Sequence, residues 1–217
     1  MKQHFFILFF VLPFLSLAQT NRVVCEVFYT DDGSVEGYPE NYTTYRIYAE
    51  LSDTVTCLTS VFAFGCDGLH ISTDNDTWQH PMGNILGPDL NPALFPSIPA
   101  LEYDSFLTIG KANRYDGRGT VIKAIGTGEK GFIDFEDGKD LRIIDGAWAC
   151  LRTESNGYGN KILLAQITTS KTLTYALNLQ LVHPDRSVSF LNAKVYDENC
   201  EVETVDEGLK FGLLKLK

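Results

Sequence analysis

Side chains that commonly carry catalysis or metal binding are scarce in this sequence. Its 217 residues include only 4 His, 5 Cys and 2 Met. No Cys-x-x-Cys pair or His-rich cluster supplies the ligand spacing of a metal site. A Gly-x-Ser-x-Gly string and a Walker phosphate-binding loop are also absent. The sequence therefore offers no recognisable nucleophile, Cys/His metal centre or Walker-type nucleotide site.

Positive charge is scarce as well. The chain has 18 Lys and Arg against 28 Asp and Glu, a formal net charge of -10. This balance argues against nucleic acid or anionic lipid as the main partner. With 44% apolar and 21% charged residues, the composition excludes a disordered chain, a coiled coil, collagen and a multi-span membrane protein. The length suffices for one domain with a substantial core.

Long apolar runs are missing beyond the N-terminus. Residues 5–17 form the one such run, after Lys2 and before Ala18. A membrane span needs roughly 20 apolar residues, and Pro13 interrupts this shorter run, which is typical of a secretory signal peptide. We therefore expect a signal peptide over residues 1–18 and a single domain over 19–217. The mature protein is expected to be secreted, at the cell surface or in the periplasm, without a membrane span.

Export makes disulfide bonds feasible for the few cysteines. Cys25 and Cys200 lie near the two ends of the mature chain, and we predict a disulfide between them. The apolar run between Cys57 and Cys66 is typical of one extended strand. At about 3.3 Å per residue that strand holds the two roughly 30 Å apart, beyond disulfide reach. The alternative for each cysteine is a small apolar thiol in the core.

Alternating apolar and polar side chains predict β-strands along most of the chain. We expect strands over residues 23–30, 43–51, 55–64, 102–109, 120–125, 131–135, 161–168, 172–182 and 187–196. The segments 161–168 and 172–182 form the best candidate for a β-hairpin. Because long helical periodicity is lacking, the pattern predicts an all-β fold: an antiparallel, jelly-roll-like β-sandwich.

Residues 81–99 form a long loop rich in proline and glycine. Within this loop, Asn91 is placed to cap a single helical turn that begins at Pro92. A loop of this length in a compact domain is often functional. It can equally serve as packed cover for an open sheet edge, and the sequence leaves both interpretations open.

Two strings are the most specific features of the chain. They are Tyr-Asp-Ser-x-x-Thr-Ile-Gly at residues 103–110 and Leu-Leu-Ala-Gln-x-Thr-Thr at residues 163–169. Together with 42–51 and 91–95, they make residues 40–185 resemble an all-β module of secreted bacterial proteins, often multidomain and located at the cell surface. The resemblance implies an extracellular β fold. No activity is established for that module, so the resemblance implies no catalytic residue.

Calcium is the only cofactor that the sequence suggests. Asp74 and Asp76 place carboxylates at alternate positions, as at the start of a calcium-binding loop, but the glycine and distal glutamate of an EF-hand are missing. An ordinary solvated turn accounts for the same residues. Both interpretations stay open.

Two function classes remain. We favour an exported, non-catalytic binding or structural module whose partner is an extracellular glycan or protein, because no catalytic constellation is recognisable. Its binding surface is expected at Trp78, His80, Asn91 and Phe95, since binding residues gather in long loops. The alternative is a secreted, glycosidase-like hydrolase that uses Glu102 and Asp104, if they share one face of a strand as a carboxylate pair. A buried hydrogen-bonding corner around Asp104 explains the same residues without chemistry, and the sequence does not decide whether the chain is an enzyme.

Overall fold

The computed structural model describes residues 21–52, 57–63, 68–116, 121–124, 129–150, 161–191, 195–196 and 202–204. The strands in these ranges are β1 (Arg22–Thr30), β2 (Thr43–Glu50), β3 (Cys57–Ala63), β4 (Leu69–Ser72), β5 (Phe106–Leu107), β6 (Val121–Ala124), β7 (Leu141–Ile143), β8 (Gly146–Cys150), β9 (Lys161–Thr169), β10 (Thr174–Ala176), β11 (Asn178–Val182), β12 (Val188–Leu191), β13 (Val195–Tyr196) and β14 (Val202–Thr204). The α-helix in the same ranges is α1 (Glu129–Glu136), and short 3-10 helices cover Gly87–Asp89, Pro92–Leu94 and Pro99–Tyr103.

The strands form three larger antiparallel sheets, which confirms the predicted all-β, sandwich-like fold. The first sheet has the order β1-β2-β9-β5, the second β10-β4-β7 and the third β12-β11-β3-β8-β6. Strands β13 and β14 pair with each other. As the uniformly apolar run 55–64 predicted, β3 lies at the centre of the third sheet.

The core lies between the inner faces of these sheets. Ile47 on β2, Val61 on β3 and Trp148 on β8 are fully buried members of one apolar cluster. The indole N–H of Trp148 donates to the Thr108 carbonyl at 3.0 Å, so the largest core side chain also satisfies its polar atom.

The long loop 81–99 covers the β5 side of the first sheet. Leu86 forms a parallel bridge with Leu107, and the Leu107 N–H donates to the Ile85 carbonyl at 2.8 Å. A second apolar cluster lies beneath the loop and comprises Leu90, Leu101, Phe106 and Leu163. The loop therefore protects a sheet edge, one of the two roles that its sequence left open. The predicted turn is confirmed, because Asn91 accepts from the Ala93 N–H and caps the 3-10 helix Pro92–Leu94.

Three local expectations are wrong. Residues 131–135 lie in α1, where Phe132 and Phe135 bury one helical face against the core and Ile133 faces solvent. The predicted strand 102–109 is a 3-10 helix followed by the two-residue β5.

The predicted hairpin of 161–168 with 172–182 is also wrong. β9 pairs with β2 and β5, β10 pairs with β4, and β11 pairs with β3 and β12. The chain thus changes sheets after Thr169 instead of turning back on itself.

No helix within the described ranges has the length and apolar character needed to cross a membrane.

Candidate functional site

An aromatic cluster lies beside β1, at the end of the first sheet. We define it by six rings: Phe28, Tyr29, Tyr38, Trp78, His80 and Tyr103. Tyr103 is the centre, with ring centroids 4.6 Å from Tyr29, 5.3 Å from Tyr38 and 5.8 Å from Phe28. The Trp78 ring lies 6.1 Å from Tyr38 and 5.7 Å from His80. Tilted and edge-on ring pairs at these distances attract one another, so the six rings form one continuous packed group.

Four separate segments supply these rings. Phe28 and Tyr29 end β1, Tyr38 lies in the turn before β2, and Tyr103 ends a 3-10 helix. Trp78 and His80 follow β4. Most of the rings are partly exposed, and Phe28 is exposed, while Tyr38 is buried beneath them. Partly exposed aromatic rings of this kind suit stacking against a sugar ring or an apolar peptide side chain.

A cation stacks on the exposed end of the cluster. The Arg46 guanidinium lies 3.4 Å above the centroid of the Phe28 ring. Its Nε also donates to the Gln166 side-chain oxygen at 2.8 Å. This geometry is a cation–π contact, and it holds Phe28 in place at the surface.

A chain of hydroxyl groups anchors the buried side of the cluster. The Tyr38 hydroxyl bonds to the Thr44 hydroxyl at 3.0 Å, and Thr44 bonds to the Thr168 hydroxyl at 2.7 Å. Thr168 in turn donates to the Tyr103 carbonyl. Burial raises the pKa of Tyr38 to about 12, so this hydroxyl stays protonated. The rings are therefore held by β2 and β9 and not by loop contacts alone.

Asp104 fixes the loop that carries His80. Its Oδ1 accepts the His80 N–H at 2.7 Å, and its Oδ2 accepts the Asn84 N–H at 3.0 Å. The side chain is fully buried, and burial raises its pKa to about 7. The Nδ1 atom of His80 accepts the Met82 N–H at 3.0 Å, and burial lowers the pKa of this imidazole. Asp104 thus acts as a buried corner that shapes residues 80–84.

The predicted carboxylate pair does not share a strand face. Glu102 lies in the 3-10 helix Pro99–Tyr103 and is exposed, whereas Asp104 caps that helix and is fully buried. The Gln166 side-chain N–H₂ donates to the carbonyls of both residues at 2.9 Å. Their carboxyl groups therefore lie in different environments.

The four residues predicted to bind ligand divide into two groups. Trp78 and His80 contact each other within the aromatic cluster. Asn91 caps its 3-10 helix, and Phe95 packs partly buried against the second apolar cluster. The four residues were predicted to form one site because they are close in the sequence. In the structure they belong to two separate groups.

The predicted calcium ligands differ in their surroundings. Asp74 is exposed and has a φ of 58°. Asp76 accepts the Tyr42 hydroxyl at 2.6 Å, the Ser170 N–H at 2.9 Å and the Ser170 hydroxyl at 2.7 Å. Burial acts to raise the pKa of Asp76, but these hydrogen bonds together outweigh it and lower the pKa. No group of three or more His, Cys, Asp or Glu side chains in the described part of the chain is arranged to hold a metal ion.

Cys25 lies exposed on β1. Its predicted partner, Cys200, lies outside the described residues, so that disulfide stays a prediction.

Two features of the molecule were not predicted from its sequence. The first is the aromatic cluster itself, because its rings come from segments far apart in the chain. The second is the spacing Gly126-x-Gly128-x-x-Gly131 before α1, a pattern found in dinucleotide-binding loops. That function requires a parallel βαβ unit, whereas β6 pairs antiparallel with β8, and β7 pairs antiparallel with β4. Residues 125–128 lie outside the described ranges, and a Cβ on Gly131 would lie 2.2 Å from the Arg142 carbonyl oxygen. This glycine therefore lets α1 pack closely on β7.

Comparison of the chain with protein-family models, curated proteins and solved structures finds no match.

Proposed function

We propose that the chain is an exported, non-catalytic binding module that holds an extracellular glycan or protein on its aromatic cluster. The main observation that supports this proposal is that ring contacts join Trp78 to Phe28 through Tyr38 and Tyr103. Stacking on rings that the fold holds in place costs little side-chain entropy on binding. The resemblance of residues 40–185 to modules of secreted bacterial proteins supports the proposed location.

A neutral glycan is the first ligand to test. Sugar rings stack on aromatic faces, and carboxylates and hydroxyls at the edge of the site accept and donate hydrogen bonds to sugar hydroxyls. The Tyr29 hydroxyl donates to Asp32 at 2.6 Å beside the cluster, and Glu102 is exposed next to Tyr103. The chain's charge of -10 disfavours strongly acidic polysaccharides.

The experiment is a polysaccharide array probed with the mature chain, with and without calcium, and scored for both retention and product release. We expect retention without product release. Trp78→Ala should abolish retention, because it removes the ring that joins His80 to the cluster. Tyr115→Ala is the matched control, since Tyr115 is 71% exposed and lies outside the cluster.

The same array tests the rival functions. Product release that Glu102→Gln abolishes would replace the proposal with a hydrolase. Retention that survives Trp78→Ala would move the binding surface elsewhere. The calcium arm tests the proposed ligation by Asp74 and Asp76, which precede Trp78 in the same loop. If no glycan is retained, the ligand is a protein or the module is purely structural, and the glycan proposal fails.

A further inference from the structure

The two edges of the first sheet differ in how they are covered. The β5 edge is covered by the bridge between Leu86 and Leu107. Strand β1 forms the other edge, and β2 is its partner within the described ranges. An edge strand presents unpaired N–H and C=O groups, which proteins usually protect. A register shift after Val27 bulges the strand near Phe28, so the regular part of this edge is Arg22–Val27.

The charges on β1 do not protect its edge. Arg22 pairs with Glu50 at 2.6 Å, and Glu26 pairs with Lys161 at 2.6 Å. Both charges are thus matched by neighbours within the same molecule. Unmatched charge, especially lysine, is the usual device that repels a second strand, and this strand lacks lysine.

Apolar side chains near this edge are left uncovered on the core side. Val23, Cys25 and Val27 alternate on the face that Ala49 and Ile47 of β2 turn towards the core. Ile47 and Ala49 are fully buried, but Val27 is 61% exposed and Cys25 is exposed. Val23 packs partly buried against the core, so the inner face of the sheet stays open at Cys25 and Val27.

The sequence of β1 is complementary to itself in one antiparallel register. A twofold axis at Cys25 places Val27 of one strand opposite Val23 of the other, and therefore covers the exposed Val27 side chain of both copies. An axis at Glu26 would place two carboxylates opposite each other, which is destabilising. An axis at Val24 would place Val27 opposite the polar Asn21. Of these three registers, the Cys25 register alone places Val27 opposite an apolar side chain without opposing like charges.

We infer that two copies of this chain associate through antiparallel pairing of their β1 strands, with the twofold axis at Cys25. The first sheets of the two copies then join into one continuous sheet. The twofold pairing occupies the β1 edge of each copy, so no third copy can add through β1 and assembly ends at a dimer. Because the contact is a single strand pair, the dimer is weak and forms at high protein concentration.

Sedimentation of the mature chain over a wide concentration range tests this dimer. We expect wild type to shift from monomer to dimer and Val27→Lys to raise the dimer dissociation constant about tenfold or more, because lysine at an edge opposes pairing. Ile144→Lys is the matched control, since Ile144 is 70% exposed and lies between β7 and β8. It should dimerise as wild type does.

A second measurement does not depend on the folding of the lysine variant. Directly opposed residues of antiparallel strands have Cα atoms about 4.5–5.5 Å apart, so a short bis-maleimide should join the two reduced Cys25 thiols. Cys25→Ser should lose the covalent dimer yet keep the dimer seen in sedimentation.

Four results would overturn the inference. Wild type that stays monomeric at every concentration excludes the dimer. Equal dimerisation of wild type and Val27→Lys would mean that any dimer forms through another surface. Equal loss of the dimer in Val27→Lys and Ile144→Lys would also mean that β1 is not the interface. The last result is a monomeric chain in which the Cys25 thiol reacts with maleimide only after reduction. It would mean that the predicted disulfide to Cys200 holds the chain's own C-terminal segment at this edge in place of a second copy.

Discussion

Gly83 and Asp104 are in such close contact that no side chain fits at position 83. A Cβ on Gly83 would lie 1.9 Å from Oδ2 of Asp104. The loop can wrap both carboxylate oxygens with the N–H groups of His80 and Asn84 only because this residue is glycine.

Gly83→Ala should therefore destabilise the fold. The new methyl group must displace a buried carboxylate or the loop backbone, at a cost of about 1–3 kcal/mol in the free energy of unfolding. Urea denaturation measures this loss. Gly33→Asn is the control, because Gly33 has open space around it and a φ of 75° that asparagine tolerates. Equal stability of Gly83→Ala and wild type would contradict the contact.

Asp104 should make stability depend on pH. Its folded-state pKa is about 7, above the unfolded value of about 3.9, so the folded state holds this proton more tightly. Its contribution is fully present below about pH 4 and is lost as the pH rises through about 7. Asp104→Asn, which cannot titrate, should lack this decrease when unfolding is measured across the same window. An unchanged pH dependence in the variant would assign it to another group.

Asp76 and Asp74 provide a matched pair of substitutions. Asp76→Asn should lower stability by about 1 kcal/mol, because the charged acceptor of the Tyr42 and Ser170 hydrogen bonds is lost. Asp74→Asn should change stability by less than about 0.5 kcal/mol, since Asp74 is exposed. Thermal unfolding with and without calcium measures both effects. If calcium stabilises the wild type and both variants lose that gain equally, ligation is their common role.

Gln166 should contribute strongly to the stability of the fold, because its side chain binds the backbone at residues 102–104 beneath the aromatic cluster. Gln166→Leu leaves the carbonyls of Glu102 and Asp104 without their donor and the Arg46 Nε–H without its acceptor, and it should cost about 2–3 kcal/mol. Gln180→Leu is the control, because it removes one side-chain bond with Ser60, and it should cost about 1 kcal/mol or less. Urea denaturation of both variants gives the comparison. Equal costs would mean that water satisfies the two carbonyls.

Side-chain alternation predicted where strands lie but not which strands pair. β2, β3 and β9 lie close to their expected positions because each buries residues on one or both faces, and β1 also lies close to its expected position although none of its side chains is fully buried. Alternation identifies the face of a strand and carries no information about its neighbour. The short connection at residues 169–171 therefore favoured a hairpin, whereas the chain crosses to another sheet.

The prediction of a strand over residues 131–135, which lie in α1, is wrong for a different reason. Phe132 and Phe135 are three residues apart, which is helical spacing, and Ile133 between them is exposed. A five-residue window holds too few apolar residues to separate the two periods. At the site, Trp78 and His80 were predicted, but Tyr103 and Phe28 join them only through tertiary packing.

The two tryptophans of the chain sit in opposite surroundings. Trp148 is fully buried, and its indole N–H is bound to Thr108, so its fluorescence is shielded from dissolved iodide and reports on core packing. Trp78 is partly exposed against Tyr38 and His80, so iodide reaches it until a ligand covers it. Intrinsic emission from the unlabelled chain thus separates occupancy of the surface from unfolding of the interior. Replacing either indole with phenylalanine assigns each signal to its source.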